Sequence, residues 1–136
     1  MADVTLAWTG DRLQFVGTTA YGEPVLVGGD REGPGAKPSD LLPVSLAACT
    51  AYDVVEILRK QRQDLHRLEV TVRSTQDPDP PWTFRAIHLR FVLTGRVEER
   101  KAVRAVDLAE SKYCATAATL RPVVEITHEV VVVPEP

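Results

Sequence analysis

The fold is decided by one stretch, KPSDLLPVSLAACTAYDVVEILRKQRQD, which covers residues 37 to 64. Ser39 stands where a helix N-cap belongs, and Asp40 follows in the first turn, near the positive end of the helix. Residues 41–58 are apolar on nearly every side, and the pattern becomes polar at residues 59–62. This pattern predicts one long buried helix with a basic, solvated C-terminal end.

Short strands are predicted before this helix. Apolar and polar residues alternate over residues 3–8 and again from residue 13, and Thr9-Gly10-Asp11 is a turn signal between them. We therefore expect a hairpin whose first strand is half-buried. A third strand fits residues 24–27, and the Gly- and Pro-rich residues 28–39 predict a mobile surface loop without the spacing of a phosphate-binding loop.

The remaining elements follow the helix. Residues 68–72 and 87–93 alternate with period two and predict a second antiparallel hairpin. Residues 97–120 return to helical spacing, and we expect the helix to continue through Cys114. A last strand fits residues 124–130. The order βββ-α-ββ-αα-β predicts an α+β fold with mainly antiparallel pairing.

Length and composition exclude several classes of protein. A chain of 136 residues predicts a single domain over residues 1–136. Sixteen basic and 19 acidic residues give a net charge of −3, which argues against a dedicated nucleic-acid binder. No secretory signal is visible, and the uncharged stretch at residues 41–52 is too short to span a bilayer. We therefore expect a cytoplasmic protein that binds neither nucleic acid nor a membrane.

Two cysteines are the chemically interesting residues. Cys49 and Cys114 are too few for a disulfide scaffold or a four-ligand zinc site, so no metal and no cofactor is expected. Ser45, Cys49 and Asp53 are spaced i, i+4, i+8 and form a polar line on the apolar helix. Either this line faces a site, or Asp53 and Glu56, which follows at i+11, reach toward solvent or a basic partner. A lone cysteine on an apolar helix is more often a packed core residue than a nucleophile.

An active Cys49 needs help from outside its own helix. It lies near the third turn, beyond the reach of the helix dipole, and Asp53 would raise its pKa. A cation or strong hydrogen-bond donors must therefore come from elsewhere. The basic candidates are Arg12, which we rank first, and Lys37, Lys112 and Arg121.

The three histidines carry no functional signal at this level. His66, His88 and His128 share no metal-ligand spacing, and we expect none of them to act as a ligand or general base. The phase of the last strand predicts that His128 points inward.

The chain nevertheless resembles a known family. Residues 37–64 resemble the first central helix of the OsmC/Ohr superfamily, in which a run of small residues leads to the first cysteine. AESKYCATAATL, residues 109–120, is similar to the segment around the second cysteine. The strands DLHRLEVTV and IHLRFVLTGR and the stretch FVGTTAYGEPVLVGG also fit the family. The forms C-T-A-x-D-V-V and K-Y-C resemble its OsmC-like branch more than its Ohr branch.

The resemblance implies a fold and an activity. It implies two long central helices and a homodimer with swapped elements. It also implies a thiol-dependent peroxidase of oxidative or osmotic stress defence, in which Cys49 reduces an organic, lipid-like hydroperoxide and becomes a sulfenic acid. Cys114 then resolves it as a disulfide, a small dithiol restores both thiols, and Asp40 and Arg12 take the positions of the activating acid and arginine. The alternative is a non-catalytic stress protein of the same fold that binds a small molecule and keeps its cysteines for packing.

Overall fold

The computed structural model describes residues 3–29 and 33–136. The chain forms two compact units, one that ends at Leu42 and one from Pro43 to Pro136. The α+β composition and the element order agree with the prediction.

The N-terminal unit contains a three-stranded antiparallel sheet. Its strands are β1 (Thr5–Trp8), β2 (Gln14–Thr18) and β3 (Pro24–Gly28), paired in that order. The predicted hairpin is confirmed, but the half-burial of β1 is wrong, because all four of its residues are exposed. The alternation marks a face suited to burial, and the single chain leaves that face open.

The predicted loop at residues 28–39 is partly tied to β3. The N–H of Ala36 donates to the Leu26 carbonyl, and the N–H of Gly28 donates to the Ala36 carbonyl. Residues 30–32 of this loop lie outside the described residues. Ser39 does not cap a helix, because it lies inside a 3₁₀ turn, Pro38–Asp40, that is preceded by Lys37 at the N-cap position.

The C-terminal unit contains a mixed sheet in the order β4-β5-β6. β4 (Asp64–Gln76) and β5 (Phe84–Arg96) are antiparallel neighbours, whereas β6 (Glu125–Pro134) pairs with β5 in parallel. A parallel neighbour requires a crossover connection. Helices α2 (Glu99–Leu108) and α3 (Ala115–Leu120) form that crossover.

The core of this unit lies between the sheet and the helices. Strand β5 alternates as predicted, with Ile87, Leu89, Phe91 and Leu93 buried and Arg90 exposed. The helical side chains that share this core come from α1 (Leu41–Lys60), from α2 and α3, and from the turn that follows α2: Leu46, Val54, Leu58, Ala102, Ala105, Val106, Ala109 and Ala117. Cys114 belongs to the same cluster.

Helix α1 is less buried than its pattern predicts. One stripe is buried at Leu46, Val54 and Leu58, but Val44 is 56% and Tyr52 is 67% exposed. The prediction of a helix buried on every side is therefore wrong for the single chain. By length and composition alone, the helical stretch 38–60 with mean hydropathy 1.6 could cross a membrane, a test that the core helix of a soluble protein also passes.

The second predicted helix is interrupted. Helix α2 ends at Leu108, a π-helical turn follows at Ala109–Tyr113, and Cys114 has extended dihedral angles (φ −82°, ψ 109°) before α3 begins. The expected helical continuity through Cys114 is wrong, and the structure has one long helix and one divided helix. A π-helical turn inserts an extra residue into a helix and is frequent at functional sites.

Gly95 provides a test of the sheet geometry. It has φ +145°, and a Cβ atom there would lie 2.2 Å from the Asp64 carbonyl oxygen. We expect Gly95→Ala to lower the free energy of unfolding by about 2 kcal/mol or more in a denaturant titration. Gly22→Ala is the control, because Gly22 also has positive φ (+87°) but no atom within 4 Å of the added Cβ. Equal losses in the two variants would contradict the steric explanation.

Candidate active site

The polar line on α1 faces the start of α3. The Ser45 Oγ lies 3.3 Å from the Thr116 Oγ1, and the Cys49 sulfur is hydrogen-bonded by Cys114 and Thr116. One turn further on, Asp53 and Tyr113 line the same cavity. Ser45, Cys49 and Asp53 therefore lie along residues 113–116, whereas Glu56 is exposed.

The break at Cys114 creates this arrangement. The N–H of Cys114 donates to the Ala109 carbonyl at 2.8 Å and closes the π-helical turn. The Cys114 Sγ occupies the N-cap position of α3 and accepts the N–H of Ala117 at 3.3 Å. Both cysteines are free thiols; Cys114 is buried and Cys49 is half-buried. The structure thus brings together the two residues that the sequence identified as a candidate redox pair.

Hydrogen bonds lower the pKa of Cys49. Partial burial works in the opposite direction and raises it, but donors on the neighbouring segment outweigh burial. These donors are the Cys114 thiol, the backbone N–H and hydroxyl of Thr116, and the backbone N–H of Ala115. When Cys49 ionises, its negative charge faces the first N–H groups of another helix, where an anion is favoured.

The pKa of Cys114, in contrast to that of Cys49, is raised. Burial is the main cause and raises it to about 11, and the hydrogen bond to Cys49 adds to this rise. The N–H of Ala117 lowers the pKa only in part. Cys114 is therefore a protonated donor at neutral pH, whereas Cys49 is the thiol that ionises more readily. This asymmetry suits a nucleophile paired with a resolving thiol.

The basic residues considered from the sequence occupy different places. The Lys112 ammonium lies 5.4 Å from the centre of the Tyr113 ring, and the Arg121 guanidinium donates to the Glu110 carbonyl. Among the described residues, the hydrogen-bond donors that lower the pKa of Cys49 belong to residues 114–116. The sequence allowed for such donors but did not locate them.

Arg12 and Asp40 belong to the N-terminal unit. Arg12 lies in the turn between β1 and β2 with φ +49°, and its carbonyl accepts the indole N–H of Trp8 at 2.9 Å. Asp40 is the last residue of the 3₁₀ turn before α1. Their roles as activating arginine and acid remain predictions.

Comparison with known proteins identifies the family. The family model of OsmC-like proteins matches residues 29–129. The protein YhfA of Escherichia coli K12 is 38% identical over 122 residues, which cover 89% of this chain and 91% of YhfA. The chain belongs to the OsmC-like family.

Solved structures of this fold agree with the assignment. A hypothetical protein from Aquifex aeolicus is 28% identical and superimposes with a TM-score of 0.82 over 97% of both chains. The fold is also shared with a Legionella pneumophila OsmC described as an organic hydroperoxide resistance protein, at 18% identity and a TM-score of 0.69 over 96% of both chains.

The Thr116 hydroxyl gives a specific test of how Cys49 is activated. Thr116→Val removes one donor and keeps the shape of the side chain, so we expect the Cys49 pKa to rise by up to about one unit and its alkylation at pH 7 to slow about threefold to tenfold. The measurement is the pH dependence of iodoacetamide labelling, resolved by peptide mass. Thr119→Val is the control, because the Thr119 hydroxyl donates to the Ala115 carbonyl instead. Identical shifts in both variants would rule out the proposed donor.

Proposed function

We propose that this protein is a thiol-dependent peroxidase that reduces organic hydroperoxides and acts in stress defence. The observation that carries the proposal is the hydrogen bond from the Cys114 thiol to the Cys49 sulfur, with opposite pKa shifts of the two groups. Family membership supports the same chemistry, and so does the fold shared with the Legionella organic hydroperoxide resistance protein. A reducing, cytoplasmic setting would keep both thiols available.

The first step uses the Cys49 thiolate. It attacks the outer oxygen of the hydroperoxide, an S–O bond forms, and the O–O bond breaks. The alkoxide leaves as an alcohol after taking up a proton, and Cys49 becomes a sulfenic acid. The N–H groups of Ala115 and Thr116 stabilise the thiolate, because they lower the pKa of Cys49.

The second step uses Cys114. Its sulfur attacks the Cys49 sulfur, a disulfide forms, the S–O bond breaks and water leaves with the thiol proton. The charge that develops on Cys114 is stabilised by the N–H of Ala117, which already points at its sulfur at 3.3 Å. A small dithiol then reduces the disulfide by exchange, which restores both thiols and oxidises the reductant.

The surroundings of Cys49 favour an organic substrate. Val44, Ala48 and Tyr52 form an exposed apolar stripe about 100° around α1 from the line that holds Cys49. An alkyl or acyl chain can pack on such a stripe while the peroxide reaches the sulfur. Arg12 and Asp40 are proposed to assist as the family resemblance implies.

The peroxidase proposal is tested by consumption of cumene hydroperoxide with dithiothreitol as reductant. Wild-type protein should turn over, and Cys49→Ser should lose consumption entirely. Cys114→Ser should stop after one turnover, because the sulfenic acid has no resolving thiol, and dimedone should trap it on Cys49.

A full rate in Cys49→Ser would refute this proposal. Two thiols that are inert toward both peroxide and iodoacetamide in the wild-type protein would instead support the non-catalytic binding protein. Peroxide-dependent formation of a Cys49–Cys114 disulfide, seen as a linked peptide pair, separates the two functions directly.

The protein is further proposed to be a homodimer. The apolar stripe of Val44, Ala48 and Tyr52 is exposed, and so are Leu6 (63%) and Trp8 (61%) on β1. Exposed apolar surface of this kind is typical of an interface between copies. Burial against a second copy would account for the apolar pattern of α1 better than exposure to water does.

Tyr52→Lys is expected to weaken the dimer, because it places a charge on the apolar stripe. Sedimentation velocity across a dilution series should show a larger monomer fraction than the wild-type protein. Tyr21→Lys is the matched control, since Tyr21 is 96% exposed in the turn between β2 and β3. A monomeric wild-type protein, or an undisturbed Tyr52→Lys dimer, would contradict this interface.

A further inference from the structure

A histidine is held between two carboxylates on the helical segment that leads to Cys114. The Nδ1 of His128 on β6 lies 2.5 Å from the Glu110 Oε2, and its Nε2 lies 3.1 Å from the Asp107 Oδ1. The side chains are 23% exposed at His128 and 12% exposed at Glu110. His128 points inward, as the strand phase predicts, and its ring meets the Phe91 ring edge-on.

The two carboxylates favour the charged form of the imidazole. A neutral histidine can donate from only one ring nitrogen, so hydrogen bonds to acceptors at both nitrogens need the protonated form. The Glu110 hydrogen bond raises the pKa of His128, burial opposes this rise, and the charges of Glu110 and Asp107 reinforce it. Because the acids contact opposite sides of the ring, the three groups do not converge on one point as metal ligands would.

Glu110 belongs to the π-helical turn that leads to Cys114. Its side chain is bound to His128 on β6, and its carbonyl accepts a hydrogen bond from Arg121 at the end of α3. The turn is thus anchored both to the sheet and to the short helix. The same turn sets the direction in which the chain enters α3, and with it the direction of the N–H groups that face Cys49.

We infer that His128 is a positioning residue of the dithiol site, because its ion pair with Glu110 fixes the π-helical turn and so holds the Cys114 thiol and the first N–H groups of α3 against the Cys49 sulfur. The expected effect of His128 on the nucleophilicity of Cys49 follows from this geometry alone. Its consequence for turnover rests on the proposed peroxidase function.

The pH dependence follows from the sign of the His128 shift. Its folded pKa lies above its unfolded value, so the stabilisation is complete below the unfolded pKa of about 6.5 and is lost as pH rises through the folded pKa. Among the described residues, the ring contacts Asp107 and Glu110 from the helical side and the uncharged Phe91 from β5. Rising pH therefore ionises Cys49 while it releases the turn that stabilises the thiolate.

The test is the pH profile of Cys49 alkylation by iodoacetamide, resolved by peptide mass, in His128→Gln. We expect the midpoint to rise by about one pH unit, with about threefold to tenfold slower labelling at pH 6. His128→Arg keeps a permanent charge with several donors, so it should restore fast labelling at neutral pH. His88→Gln is the matched control, because His88 contacts Glu129 and Thr127 on β6 and lies in β5 away from the turn. This control should keep the wild-type profile.

A wild-type profile in folded His128→Gln would overturn the inference. If circular dichroism shows that His128→Gln does not fold, Glu110→Gln is the variant to use, because it removes the same ion pair from the other side. An unchanged Cys49 midpoint in Glu110→Gln would also overturn the inference. Alkylation needs no peroxide, so these outcomes are independent of the peroxidase assay. A wild-type protein that consumes no hydroperoxide but shows the His128-dependent midpoint would refute the proposed function and leave this inference standing.

Discussion

The hydrogen bond between the Cys114 thiol and the Cys49 sulfur constrains the path of the chain on both sides. Cys49 lies in the middle of a long helix, where its own backbone N–H groups are used in helical hydrogen bonds and point away from its side chain. Its partners must therefore come from a segment with free donors. The beginning of a helix offers several free N–H groups together, and α3 begins beside Cys49.

This requirement gives the divided second helix a physical reason. In a continuous helix the N–H groups of Ala115 and Thr116 would bond to carbonyls one turn earlier and would be unavailable to Cys49. The π-helical turn and the extended Cys114 release them. Cys114 then serves two purposes, since its sulfur caps α3 through Ala117 and its thiol proton is directed to Cys49.

Much of the fold was predictable because alternation and helical spacing record which side chains share a face. Ile87, Leu89 and Phe91 alternate and are buried, and the order of elements follows. The break at Cys114 was not predictable, because cysteine is not among the preferred N-cap residues and no Gly or Pro marks the position. The donors to Cys49 were hidden for the same reason: they are backbone groups whose availability depends on that break.

The residues that contact His128 could not be predicted from the sequence either. Its inward direction follows from strand phase, but its partners come from α2 (Asp107) and the π-helical turn (Glu110), 21 and 18 residues away in the chain. Burial of α1 was overestimated because an apolar pattern does not say which molecule covers each face. Leu46 and Val54 pack in the core of the chain, while Val44 and Tyr52 stay exposed on a neighbouring face.

Helix α1 has three faces: a buried apolar stripe, a polar line that contains Cys49, and an exposed apolar stripe. The stripe of Leu46 and Val54 holds the helix on the sheet, and the line of Ser45 and Cys49 meets α3. The exposed stripe is adjacent to that line, so whatever covers it also borders the thiol. In the proposed dimer the partner would therefore exclude water on one side of Cys49 while α3 supplies its hydrogen bonds on the other. Excluding water strengthens those hydrogen bonds, because the anion then has fewer competing donors. Assembly and thiol reactivity would in this way depend on the same helix.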